Sequence, residues 1–117
     1  MTTTYADPVE LVARALQHAP RDPARVSVDH LAALRPVHRA IAEEGFEIHE
    51  RRVALRDLLA SPDAESLDLA EVLEAATESG RLDSRQARLD IASLRLEGFT
   101  RDATLALGID LADILGD

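Results

Sequence analysis

The chain has 117 residues and a net charge of −9, from 22 Asp and Glu against 13 basic residues, all of them Arg. It contains no Cys, which removes disulfides, thiolate metal sites and thiol nucleophiles. The length fits one domain, 1–117, able to bury a core, and that core is aliphatic because Tyr5, Phe46 and Phe99 are the only Tyr, Phe or Trp residues. So few aromatics also leave no stacking platform for single-stranded nucleic acid. The charge is uneven. Residues 1–58 carry nine acids and eight Arg, whereas 59–117 carry thirteen acids and five Arg.

The opening MTTTYADPVE has neither a basic start nor an apolar run, so 1–6 reads as a flexible N-terminus. No later stretch approaches the roughly 18 apolar residues of a membrane span, and the expectation is a cytoplasmic protein without membrane contact. Asp7-Pro8-Val9-Glu10 is a helix start, with Asp as the cap and Pro at the first helical position. Val9, Val12, Leu16 and Ala19 then recur at helical spacing, and Pro20 stops the helix. A connector with Pro23 follows. The second helix begins near Ser27 or Asp29 and runs to Glu44, burying Leu31, Leu34, Val37 and Ile41, with a break at Arg35 forced by Pro36.

Gly45-Phe46 reads as a stop, after which a third helix from Glu47 to Ala60 carries Ile48, Val53, Leu55, Leu58 and Leu59. The alternation of Phe46-Glu-Ile48-His also fits a short strand, but no partner strand is evident. SPDAES is a polar connector. The fourth helix, about Leu67 to Ser79, places Leu69, Val72, Leu73 and Ala76 on an apolar face and Asp68, Glu71, Glu74 and Glu78 on the other, with Gly80 as its end.

Asp83 with Gln86 forms a capping-box pattern for a fifth helix, and Gly98-Phe99 closes it. This helix has two apolar stripes, Ala87-Ile91-Leu94 and Leu89-Ala92-Leu96, which predicts a central position. Thr100 caps a sixth helix that breaks at Gly108, and Asp110 caps a last turn. The Gly-Phe pairs, 53 residues apart, divide the chain into two three-helix units, 7–60 and 66–117. Either a duplication or the chance matching of Ala-, Leu-, Glu- and Arg-rich helices accounts for this. The predicted fold is all-α, a compact bundle of five to seven short helices.

Three functional features compete with purely structural readings. The first is the acidic ridge Asp68, Glu71, Glu74 and Glu78, whose like charges at i+3 and i+4 repel. Such repulsion suits a basic partner protein; the plain alternatives are a solvated face, or pairing with Arg51, Arg52 and Arg56 across the connector. A carboxylate ridge of this kind also suits an acidic DNA mimic. The second feature is an excess of apolar residues, Leu89, Leu96, Leu107 and Leu111. These lie inside the bundle or form a patch for a partner or a homo-oligomer.

The third is a pair of local patterns. Ile91-Ala-Ser-Leu-Arg-Leu-Glu-Gly98-Phe-Thr, followed by Leu107-Gly108-Ile109, resembles over about twenty residues the helix-turn-helix of resolvase-type proteins, which implies DNA binding. The interval from Thr100 to Leu107 is one residue shorter than in that pattern. Residues 110–117 hold no basic side chain, so a recognition helix there would repel phosphate, and nucleic acid is not the expected partner. Arg25 and His30 have the Arg-x4-His spacing of the all-helical HEPN ribonucleases, and that resemblance implies RNA cleavage. No His pair has metal-ligand spacing, and neither a phosphate loop nor a nucleophile elbow is present, so no metal or cofactor is expected. The reading that follows is a noncatalytic helical interaction module, of the adaptor, scaffold or inhibitor type.

Overall fold

The computed structural model describes residues 7–60 and 68–115, and among these residues every regular element is helical. The expected features at 1–6 and in the SPDAES connector lie outside the described residues. The elements are α1 (Pro8–Leu16), a 3₁₀ turn (Pro23–Arg25), α2 (Val28–Ala33), α3 (Arg35–Ala60), α4 (Leu69–Leu107) and α5 (Leu111–Leu115).

The short helices near the N-terminus follow their caps. Asp7 accepts from the Val9 amide at 3.1 Å with Pro8 at the first helical position, and Ser27 accepts from the His30 amide at 3.0 Å to start α2. α1 closes at Leu16, ahead of Pro20. The break expected at Arg35 falls one residue earlier, at Leu34, so Pro36 sits in the first turn of α3, where a missing amide costs nothing.

The glycine stops do not operate. α3 runs for 26 residues through Gly45-Phe46, and α4 runs for 39 residues through both Gly80 and Gly98-Phe99. In place of a compact bundle of short helices the chain forms an antiparallel α3–α4 hairpin, and the molecule measures 60 × 26 × 25 Å. The two expected three-helix units therefore do not share one helix order. The capping-box residues serve other ends: Asp83 pairs with Arg52 at 2.7 Å, and Gln86 donates to Asp90 at 2.9 Å. Thr100 caps nothing; its buried hydroxyl donates to the Leu96 carbonyl at 2.9 Å. The first true end is Gly108, in the left-handed region at φ 68°, with Asp110 then capping Ala112 at 3.1 Å.

Periodicity explains why the glycines lose. Ala75, Leu82, Leu89, Leu96 and Ala103 are all buried and lie seven residues apart on α4, while Leu34, Ile41, Ile48 and Leu55 repeat the same step, buried or half-buried, across the start and length of α3. A seven-residue apolar repeat on two facing helices is a coiled-coil seam. An interior glycine costs about 1 kcal/mol relative to Ala, whereas each buried leucine contributes roughly 1.5–3 kcal/mol. Stopping α4 at Gly80 or Gly98 would break the seam and lose more than it saves.

The core divides along the hairpin. At one end Val12 of α1, Val26, Leu31 and Leu34 pack on Ala92, Leu96 and Ala103 of α4, with Ile114 of α5 closing the cluster. The Arg35 guanidinium donates to the Ile114 carbonyl and ties α5 to the start of α3. Towards the other end the buried residues are Ile48, Leu82 and Leu89, supported by Ile41 and Leu55, and all five come from α3 and α4. That half of the hairpin is two helices thick.

Candidate functional site: the uncovered half of the hairpin

The column Glu71, Glu78, Arg85, Ala92 and Phe99 runs along one flank of α4 at seven-residue spacing, and Val37, Glu44, Arg51 and Leu58 run along the facing flank of α3. Near Val37, Ala92 and Phe99 the flank is apolar and α1 packs into the cluster there. Asp7, the cap of α1, pairs with Arg88, and the guanidinium beside it holds its carboxyl below the usual carboxylate range.

Further along, charge replaces the third helix. Arg85 donates through both Nε and Nη2 to Glu44, at 3.1 and 2.7 Å, and Glu47 lies 3.6 Å from it. The Glu44 bonds raise the Arg85 pKa. Arg51 bridges Glu47 at 3.2 Å and Glu78 at 3.4 Å. Beyond this lattice the hairpin opens into a groove floored by Leu55, Leu58 and Ala75 and rimmed by Glu71, Glu74, Glu78 and Arg81. A second groove on the opposite flank is lined by Leu55, Leu59 and Leu82 with Arg52 and Arg56.

The acidic ridge thus resolves into different roles. Asp68 caps α4, accepting from the Glu71 amide at 2.8 Å, and Glu78 is drawn into the Arg51 pair. The pairing with arginines across the connector is real for Glu78 alone; Glu71 and Glu74 are exposed and form no ion pair among the described residues. The apolar face expected beneath the ridge is also different. Leu69, Val72 and Leu73 are 44–74 % exposed, and Ala75 is the buried residue of these turns. The cause is the seam: its phase is set by Leu82, Leu89 and Leu96 and reaches back to Ala75, leaving the other stripe outside.

The same phase reverses the expectation for the apolar patch. Leu89 and Leu96 are core residues and Leu107 and Leu111 are half-buried, so the first two offer a partner nothing. The exposed stripe of α4 is the other one, with Ile91 and Leu94 at 52 % and 69 %. Counting residues in steps of seven from Leu82 would have separated the two.

The remaining patterns are not assembled. α4 is continuous where a helix-turn-helix needs its turn at Gly98, and the five residues of α5 include no basic one. Arg25 is exposed on the 3₁₀ turn, whereas the His30 ring packs on Phe99 with centroids 5.7 Å apart and a buried Nε2 that has no hydrogen-bond partner among the described residues. Among the described residues no three His, Asp or Glu side chains converge as metal ligands, and no helix is long and apolar enough to cross a membrane. No protein-family model matches the chain, and neither the curated proteins nor the solved structures include a significant match.

Proposed function

We propose that this chain is a noncatalytic protein–protein interaction module whose docking element is the two-helix half of the α3–α4 hairpin, and whose partner presents a basic surface. One observation carries the reading. The last turns of α3 and the first turns of α4 leave Leu58, Leu59, Leu69, Val72 and Leu73 44–74 % exposed, beside the two carboxylates, Glu71 and Glu74, that pair with nothing among the described residues. Apolar side chains gathered at one end of a hairpin, with unpaired charge of one sign at their edge, form the usual core and rim of an interface.

Affinity capture from the native host, followed by mass spectrometry, tests this with three baits: the full chain, the Glu71→Arg/Glu74→Arg double variant, and Leu73→Asp. All three replaced side chains are exposed, so the helical circular-dichroism signal remains. The expected result is a specific partner with a basic surface that binds the unmodified chain and is lost with both variants. Capture unchanged by either variant rejects the hairpin end as the docking element.

A further inference from the structure

We infer that the outward face of α4 is a self-association seam on which a second copy of this chain docks antiparallel, with Leu94 of each copy seated over Gly98 of the other. This stands independently of the hairpin-end reading, because it concerns a different stretch of α4.

Gly80 and Gly98 are the glycines of α4 without an internal reason, and Gly98 is the one set between the exposed apolar residues Leu94 and Leu105. Gly108 has a positive φ, and at Gly45 Leu89 lies 3.4 Å from the place a Cβ would take, which limits that position to a small residue. Gly80 and Gly98 are both helical, and among the described residues nothing lies within 4 Å of the place a Cβ would take. A glycine inside a helix weakens it and is worth keeping where another chain comes close. None of the described residues does.

The neighbouring residues describe what comes close. Ala87, Ile91, Leu94, Gly98, Arg101 and Leu105 follow one another in alternating steps of four and three, the spacing of a coiled-coil seam, on the side of α4 facing away from Leu89 and Leu96. Ile91, Leu94 and Leu105 are 52 %, 69 % and 74 % exposed. A groove of about 800 Å³ adjoins this stripe, lined by Leu94, Gly98 and Arg101 on α4 and by Ile109 and Leu111 on the far side.

The stripe is complementary to itself in one direction. An antiparallel pairing about a twofold axis near residue 96 sets Leu94 against Gly98, Leu105 against Ala87 and Ile91 against the stem of Arg101. Large meets small in the first two layers. Arg88, whose guanidinium also pairs with Asp7 of its own chain, then comes opposite Asp102, and the Arg101 head group comes beside Asp90. The unfavourable contacts are at the axis, where Arg95 meets Arg95 and Glu97 meets Glu97 on the exposed rims. A parallel pairing would instead stack Gly98 on Gly98 and Arg101 on Arg101, leaving a void and a buried like-charge pair. The match of large to small and of basic to acidic within one stripe identifies the occupant as a second copy.

Sedimentation velocity on the full chain tests the proposal. The expected species at high concentration has twice the 12.7 kDa chain mass. Leu94→Glu returns it to the single-chain mass with its helical signal intact. Gly98→Leu fills open space in a lone chain, so folding is preserved, yet it raises the dimer dissociation constant about tenfold or more. Leu73→Asp leaves the dimer unchanged, which separates this seam from the hairpin end. The absence of Cys lets the register be read directly: an oxidised mixture of Leu94→Cys and Gly98→Cys chains forms the mixed disulfide, while Leu105→Cys alone does not cross-link. A monomer at every concentration, a dimer indifferent to Leu94→Glu, or self-cross-linking at Leu105 overturns the proposal.

Discussion

Leu89 packs directly over Gly45, so that a Cβ added to the glycine would lie 3.4 Å from Leu89 Cδ2. This is ordinary van der Waals contact, with room for one methyl group and no more. Gly45→Ala is therefore expected to fit and to gain up to about 1 kcal/mol of helix propensity. Gly45→Leu drives a larger side chain into Leu89 and is expected to cost about 1–3 kcal/mol. Urea denaturation of the two variants checks the opposite signs.

Asp7 holds α1 in two ways, as a cap for Val9 and as the partner of Arg88. Asp7→Ala removes both, and the cap alone is worth about 1 kcal/mol. Asp7→Asn keeps a cap acceptor and loses the charge pair. The expected order of thermal stability is Asp7, then Asn, then Ala. Because the Asp7 pKa is lowered in the fold, its contribution is present above the usual carboxylate value of 3.8 and disappears as the pH falls further. The Asn variant is expected to converge on the native protein only in that acidic range.

His38 gives a pH dependence in a separate window. Burial pushes its pKa below the ordinary 6.5, and its Nε2 has no hydrogen-bond partner among the described residues. The unfolded chain thus takes up a proton at a pH where the folded chain resists it, and stability falls as the pH drops below about 6.5. Melting temperatures measured from pH 7.5 down to 5 are expected to decline, and to decline less in His38→Gln, whose amide does not titrate.

Local chemistry and long-range order were legible to different degrees. The caps at Asp7, Ser27 and Asp110, the break beside Pro36 and the left-handed stop at Gly108 follow from a few adjacent residues, and the sequence displays them openly. Gly45, Gly80 and Gly98 carry an equally plain local signal with the opposite outcome, because the repeat from Ala75 to Ala103 acts over 29 residues and outweighs any one position. The exposed surface depends on the same stops. Once α4 is one helix, a single phase decides that Leu89 and Leu96 are inside while Leu73 and Leu94 are outside. Glu71 and Glu74 could be picked out from charge alone, but the loss of Asp68 to a cap and of Glu78 to Arg51 depends on where α3 lies.

The seven-residue step also restricts how this molecule can change length. One residue inserted into α4 between Leu82 and Leu89 would rotate all that follows by about 100°, turning Leu96 and Ala103 away from α1 and bringing Leu94 towards it. Adding seven residues to α4 and seven to α3 opposite them would keep every face where it is and extend the rod by about 10 Å. The distance between its two ends is in this sense a quantised property, open to alteration only in whole heptads taken by both helices together.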